Sequence, residues 1–324
     1  MKRSIGSAVG SIRQPRRGLG TVSSVNSPGQ QLPVFRPKEI VSRTLAWYAD
    51  HARDLPWRRP GVTPWAVLVS EFMLQQTPVE RVRGPWAAWL DRWPSPEALA
   101  AAPAGAAVRA WGRLGYPRRA LRLHAAAVAM REQFGGQVPA DRESLLSLPG
   151  VGSYTAAAVA SFAYGRREVV LDTNVRRLVH RVVLGAAHPP AAASRLEVAV
   201  AERLAPLEPP RAARWAVASM ELGALVCRAR VPRCAECPVR EECAWHLAGC
   251  PPSSGPPRRG QAYTGTDRQC RGALLAVLRR ADEAVTADDL AQAWPQSVQR
   301  DRALDSLVSD GLAVAVGDRW ALPG

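Results

Sequence analysis

The sequence predicts a largely α-helical domain followed by a small winged-helix-like α+β segment. Three observations carry this expectation. Between Pro37 and about His246 apolar residues recur at helical spacing, broken by short Gly/Pro turns and with almost no alternating strand pattern. The stretch "CPPSSGPPRRGQAYTGTDRQC" (250–270) then interrupts that periodicity, as a linker does. Beyond it "RGALLAVLRRA", "TADDLAQAW" and "QRDRALDSLVSDG" are amphipathic, and "LAVAVGDRWALP" reads as a two-strand ribbon around Gly317 and Asp318. The predicted boundaries are a disordered basic tail over 1–36, a helical domain over 37–249, a linker over 250–268 and the winged-helix-like segment over 269–324.

The tail is rich in Ser, Gly, Gln and Pro, is basic and lacks acids, so it cannot bury enough to fold. It has no apolar stretch of secretory type. An organellar transit peptide is the other reading of an Arg- and Ser-rich start, but a clear amphipathic period is missing. Over the whole chain of 324 residues, 43 Lys plus Arg face 28 Asp plus Glu, a formal charge of +15 with a pI of about 10.7. Such an excess favours a polyanionic partner, nucleic acid above all, and 47% hydrophobic residues suffice for a core. No apolar run is long enough to span a membrane, so the expectation is a soluble protein, with a monomer as the default. The high Ala and Arg content suits a GC-rich bacterial genome, and with it a cytoplasmic, nucleoid-associated protein.

The spacing predicts helices over 38–53, 65–76, 79–91, 95–101, 105–113, 118–133, 141–147, 153–164, 173–184, 190–205 and 210–224. Thr63 before Pro64 is a start signal for the second of these, which is apolar almost all round. Glu71 interrupts it, between Val67, Leu68 and Val69 on one side and Phe72, Met73 and Leu74 on the other. An ion pair with an arginine such as Arg58 is the structural explanation for a buried acid; a catalytic carboxyl is the functional one.

Three further motifs carry chemistry. In "CRARVPRCAECPVREEC" the thiols of Cys227, Cys234, Cys237 and Cys243 follow a C-x6-C-x2-C-x5-C spacing, which suits a four-thiolate metal or cluster site. Spacing alone leaves tetrahedral zinc open, a disulfide framework suits this chain poorly, and Cys250 and Cys270 read as incidental. Arg228, Arg230 and Arg233 in the same loop would face DNA phosphates. In "SLPGVGSYTAAAVASFAYG" the turn at Gly150, Val151 and Gly152 lets backbone N–H groups approach a phosphate at a helix start, although such turns also serve packing. In "VVLDTNVRRLVHRV" Asp172 is placed to cap the helix from Thr173, and a carboxylate there can also face a cleft.

These pieces occur in one order, and in that order the chain resembles the helix-hairpin-helix DNA glycosylase superfamily, specifically its MutY-type adenine DNA glycosylases. The resemblance rests on "LPWR" (55–58), "SEFMLQQT" (70–77), "LGY" (114–116), "LPGVGSYTAAAVASFAYG" (148–165), "LDTNVRR" (171–177) and "ELGALVCRARVPRCAECPVREEC" (221–243), and covers about residues 40 to 246. It implies a six-helix barrel domain plus an iron–sulfur domain, with a 4Fe-4S cluster on the four cysteines. It also implies base excision repair: hydrolysis of the N-glycosidic bond of adenine mispaired with 8-oxoguanine or guanine in double-stranded DNA. The related endonuclease III enzymes carry a lysine after the hairpin whose amine attacks the sugar, and this chain has Tyr154 there, so a monofunctional glycosylase is expected.

On this reading Glu71, held protonated by desolvation, delivers a proton to the departing purine. Asp172 stabilises the oxocarbenium-like sugar, and by resemblance Tyr154 and Asn174 support the same centre. The resemblance also places Gln76 and Leu114 where side chains enter the duplex, Thr77 and Tyr116 near the orphaned opposite base, and Arg58 at the adenine pocket. For each of these the structural alternative is helix-turn packing or an ordinary surface position.

The match departs at three places. Val217 stands where relatives carry a Gln or Glu that bonds adenine, and Pro117 replaces the second aromatic of the usual "GLGYY". The segment after the linker is too short for the Nudix-like domain that checks 8-oxoguanine. Two other functions stay open: a thymine glycosylase acting on T:G mismatches, towards which Val217 leans, and a non-catalytic iron–sulfur DNA-binding regulator, against which the set of Glu71, Tyr154 and Asp172 argues. The arginines of "PQSVQRDRAL" are interleaved with Asp301 and Asp305, which leaves no clear basic recognition face on the winged-helix-like segment.

Overall fold

The computed structural model describes residues 32–252 and 263–324. Most of the expected tail and residues 253–262 of the expected linker lie outside the described residues. Helices α1 (Pro37–His51), α2 (Pro64–Leu74), α3 (Val79–Arg92), α4 (Pro96–Ala100), α5 (Ala104–Trp111) and α6 (Arg118–Gln133) are followed by α7 (Arg142–Ser147) and α8 (Ser153–Tyr164). Then come α9 (Thr173–Val182), α10 (Arg195–Leu204), α11 (Pro209–Leu225) and the short α12 (Ala244–Leu247). Among the described residues no helix is long and apolar enough to cross a membrane.

Local chemistry sets the boundaries. Thr63 accepts from Ala66 N at 3.2 Å and starts α2, while Asp141 and Ser194 start α7 and α10 in the same way. The helix expected from 190 begins later because Ser194 is its cap and two prolines precede it at 189 and 190. Helix α2 stops at Leu74, short of the expected 76, because Gln76 adopts a left-handed φ of 54°.

Two apolar clusters result. One joins α2 to α6 and α8 around Trp89, Trp93 and Trp111, whose rings meet edge to face with centroids 4.6 and 5.6 Å apart. The other joins α1, α9, α10 and α11 to the cysteine loop through Ile40, Val179, Leu222 and Val239. Fully burying a side chain such as Phe72 or Leu68 contributes ~1.5–3 kcal/mol. The alanines 156–158 and 160 of α8 are buried, and their small side chains let α2 pack close against it.

The C-terminal segment is a winged helix, as the pattern predicts: α13 (Asp267–Arg280), α14 (Ala287–Ala293), α15 (Ser297–Ser309), β1 (Val314–Val316) and β2 (Arg319–Ala321). The strands are antiparallel with Ala315 opposite Trp320, and Val285 adds a bridge to Trp320. Leu274, Leu275 and Leu278 of α13 belong to the same apolar cluster as Trp111. Arg279 donates to Val108 O at 2.9 Å and to Gly112 O at 2.5 Å, and Arg109 returns a bond to Arg279 O. Gly105 N donates to Pro323 O at 2.7 Å, and a Cβ on Gly105 would come within 2.4 Å of that oxygen. The winged helix is thus seated on α5. The expected linker also ends sooner than 268, because Thr266 caps α13 by accepting from Gln269 N.

Candidate active site

Where α2, α8, α9 and α11 converge they enclose a cavity of about 580 Å³. Residues 65–73 of α2 are all buried, and Glu71 faces this cavity at 5% exposure. Burial raises its carboxyl pKa to about 7. A hydrogen bond from Tyr154 and the charge of Arg58 hold it back, and Asp172 pushes it further up. Burial and the adjacent Glu71 in turn push the Tyr154 phenol well above its ordinary value, so it remains a donor. The alternative of a Glu71–Arg58 ion pair is not what forms, since Arg58 Nη1 donates to Glu221 at 2.8 Å.

Asp172 is both cap and cavity wall. Its Oδ1 accepts from Asn174 N at 2.9 Å and Val175 N at 2.6 Å, and its Oδ2 accepts from Asn174 Nδ2 at 2.7 Å. Burial raises its pKa, and these three donors oppose the rise by favouring the carboxylate. Asn174 is fixed from behind: its Oδ1 accepts from Arg177 Nη2 at 2.9 Å, and a Cβ on Gly223 of α11 would lie 2.8 Å from its own Cβ. Arg177 also donates to Gly223 O and Cys227 O, each at 2.6 Å, joining the Asp172–Asn174 cap to the cysteine loop through one side chain.

Glu221 was not singled out from the sequence. It is fully buried, and receives Arg53 Nε at 2.6 Å and Arg53 Nη2 at 3.0 Å in addition to Arg58. Burial works to raise its pKa, but the two arginines outweigh burial and leave it below the ordinary carboxylate value. The signal that could have found it is the one that marks Glu71: an acid inside an apolar helical run, here "VASMELGALV". Glu221→Ala should leave two cavity-wall guanidinium groups unpaired and cost roughly 3–5 kcal/mol. A thermal melt within 1 °C of wild type would refute that role.

The four cysteines of the expected cluster line one small cavity between α9 and the loop after α11. Burial pushes the Cys237 thiol up to about 12 and Cys243 to about 11, so isolated thiolates are unfavourable there without a cationic centre to bind them. Arg181 lies 3.5 Å from Cys227 Sγ, donates to Arg228 O and Ala229 O, and stacks 4.6 Å from the Trp245 ring centroid. An all-sulfur donor set with a guanidinium beside it fits an anionic thiolate cluster. The reading of Cys250 as incidental needs correction, because its Sγ is 3.5 Å from His246 Nδ1 and both reach within 4.8 Å of Cys234. Cys270 is a core residue of α13.

The expected DNA-facing residues separate into open and covered positions. Gly150 has φ +81°, and a Cβ there would lie 2.7 Å from Arg122 and 3.0 Å from Phe72, so this glycine serves the hairpin's close packing. Val151 is buried, whereas Gly152 is exposed and leaves the start of α8 without a side-chain cap. Gln76 and Tyr116 are exposed with left-handed φ of 54° and 47°, and Thr77 is buried beneath them. Leu114 departs from expectation. It is 4% exposed and packs in the core, so the structure does not present it for insertion into a duplex.

One buried guanidinium, also missed from the sequence, holds both exposed loops. Arg119 donates to Phe72 O (2.8 Å), Met73 O (3.0 Å), Gln75 O (2.5 Å), Thr77 Oγ1 (3.0 Å) and Gly115 O (3.0 Å). It has no carboxylate partner among the described residues, and burial lowers its pKa to about 10.

Comparison with known proteins now bears on this geometry. A family model described as HhH-GPD superfamily base excision DNA repair protein matches residues 69–202. The adenine DNA glycosylase of Mycobacterium tuberculosis (strain ATCC 25618 / H37Rv) is 56% identical over 294 residues, covering 90% of this chain and 96% of that protein. This chain belongs to the adenine DNA glycosylase family. Within the wider superfamily, the glycosylase is also 34% identical over 215 residues to a thymine-DNA glycosylase of Aeropyrum pernix, covering 65% of this chain and 96% of that one. A solved structure of a thermostable thymine-DNA glycosylase superposes with a TM-score of 0.60 at 26% identity, over 65% of this chain and 97% of that one. The helix-hairpin-helix fold expected from the motifs is therefore the fold of this glycosylase, an enzyme of the base excision repair class. Its Val217 lines the cavity beside Met220 and Glu221, so the apolar departure noted in the sequence does lie on the pocket wall.

Proposed function

We propose that this glycosylase releases adenine mispaired with 8-oxoguanine or guanine, as a monomer and without cleaving the strand. The observation that supports it most is the pair of carboxyl groups on one cavity, Glu71 with a pKa of about 7 and Asp172 held by three donors. An adenine turned out of the stack enters that cavity, and the Glu71 proton passes to a ring nitrogen as the bond to the sugar breaks and its electrons leave with the base. Positive charge then builds on the sugar, and the Asp172 carboxylate stabilises it. Water adds to the sugar carbon and gives up one proton, which can reload Glu71. Tyr154 and Asn174 orient the two acids. Arg58, fixed by Glu221, supplies positive charge to the pocket, with Thr77 and Tyr116 toward the opposite base.

Strand cleavage through a Schiff base needs an amine, and the only lysines of the chain are Lys2 and Lys38. Lys38 is exposed on α1, and among the described residues no lysine lines the cavity. Cys227, Cys234, Cys237 and Cys243 would hold a 4Fe-4S cluster, which when bound supplies a centre that offsets the charge of the four thiolates and fixes the loop against Arg177 and Arg181.

The test is single-turnover base release on duplexes carrying A:8-oxoG, A:G, T:G and A:T, with alkali added afterwards to reveal abasic sites. Release from the first two with A:T spared supports the reading, and borohydride should trap no covalent adduct. Release mainly from T:G would assign the enzyme to the thymine class instead.

A further inference from the structure

We propose that Tyr263 and Arg268, at the start of the winged helix, form part of the site that grips the guanine-type base opposite the target adenine. The proposal rests on the reading above that Tyr116 faces that base. Its observation is a three-membered stack shared between the two parts of the molecule. The Arg268 guanidinium carbon lies 5.9 Å from the ring centroid of Tyr116 and 5.8 Å from that of Tyr263. Both rings remain half exposed, at 50% and 53%.

The platform is built rather than loose. Tyr263 O accepts from Thr266 Oγ1 at 2.7 Å, Gly265 N donates to Gln269 at 2.7 Å, and Gln299 Nε2 donates to Gly265 O at 3.0 Å. The Tyr263 hydroxyl rests over Gly272, 3.6 Å from where a Cβ would stand. Helix α13 beneath it is fastened to α5 by the Arg279 and Arg109 bonds. On the other side, Tyr116 is backed by Arg119 at 5.5 Å.

Arg268 also has its charge available. Among the described residues it makes no ion pair, because its neighbour Asp267 is taken by Arg302 at 2.7 and 2.9 Å and by Gln299 at 2.9 Å. The arginines of α15, the third helix of the winged helix, are spent internally: Arg302 on Asp267 and Arg300 on Trp294 O. The charge this segment offers beside Tyr116 therefore sits at the start of α13, not on its third helix. A guanidinium fork matches the paired O6 and N7 acceptors of guanine; on 8-oxoguanine, whose N7 carries a hydrogen, it can reach O6 alone, and flanking aromatic rings supply stacking that holds either unpaired base.

The test uses the full chain and duplexes in which a non-hydrolysable adenine analogue faces 8-oxoguanine, guanine or thymine, with affinities read by fluorescence anisotropy at one salt concentration. Arg268→Ala should weaken binding to the guanine duplex about tenfold, to the 8-oxoguanine duplex about threefold and to the thymine duplex less than twofold. Arg268→Lys should not restore the difference, and Tyr263→Ala should reproduce part of it. Equal losses on all three duplexes would make Arg268 a phosphate contact, and no loss would make the stack mere packing; either overturns the proposal. The wild-type base-release assay is scored separately, so failure of adenine release would strike the proposed activity while leaving the affinity ratio to decide this one.

Discussion

Glu71→Gln is expected to lower single-turnover base release by at least about a thousandfold while mismatch binding stays within a few-fold of wild type. The amide fills the same space but carries no transferable proton, and proton delivery together with the accompanying charge stabilisation accounts for a loss on the order of 10³. The raised pKa of Glu71 adds a pH test. Because the protonated form is the acid, base release by wild type should fall as pH rises through about 7. Stability follows the same sign. The folded value lies above the ordinary 4.5, so the folded state holds the proton more tightly, and stability present below pH 4.5 declines as pH rises towards 7. That decline is on the order of 3 kcal/mol when complete. Glu71→Gln should escape it and melt no lower than wild type at pH 8. A glutamine variant that releases adenine at near wild-type rate defeats the assignment of Glu71 as the acid.

Arg119→Met should be the most destabilising single change at the edge formed by the end of α2 and the 114–116 turn. It removes five strong bonds to the end of α2 and to the 114–115 turn and leaves buried carbonyls without donors, a loss of about 3–5 kcal/mol. The melting temperature should drop on the order of 10 °C. Gln76 and Tyr116, whose left-handed backbones this guanidinium steadies, should lose their set positions, so discrimination by the opposite base should fall along with stability. Arg119→Lys separates fork geometry from charge, since one ammonium cannot reach both loops. If lysine restored both the melt and the discrimination, charge alone would be the explanation.

The helices and the acid pair were legible because each rests on a local signal. An acid in an apolar run marks Glu71, a cap before Thr173 marks Asp172, and crowded thiols mark the cysteine loop. The winged helix was equally plain from periodicity. What the sequence did not yield are contacts whose partners are far apart in the chain and carry no side-chain signature. Arg119 bonds to carbonyls, which every residue has. Glu221 is read as special only once Arg53 and Arg58, more than 160 positions away, are seen to converge on it. Leu114 was assigned from its motif position, yet burial depends on how α5 and α6 fold back over it. Likewise the place of Arg268 beside Tyr116 follows from the seating of α13 on α5, which no periodicity encodes.

The arginines at the joints of this molecule have another consequence. Arg109, Arg119, Arg177, Arg181 and Arg279 fasten segments together mainly through main-chain oxygens rather than through carboxylates. Bonds from a sheltered guanidinium to a carbonyl dipole are little weakened by dissolved ions, whereas attraction between exposed arginines and phosphates falls steeply as counterions compete. Ionic strength therefore acts on the two halves of this protein's electrostatics unequally: it loosens the grip on nucleic acid while the frame that shapes the grip stays assembled, which lets such an enzyme let go of one site and arrive folded at the next.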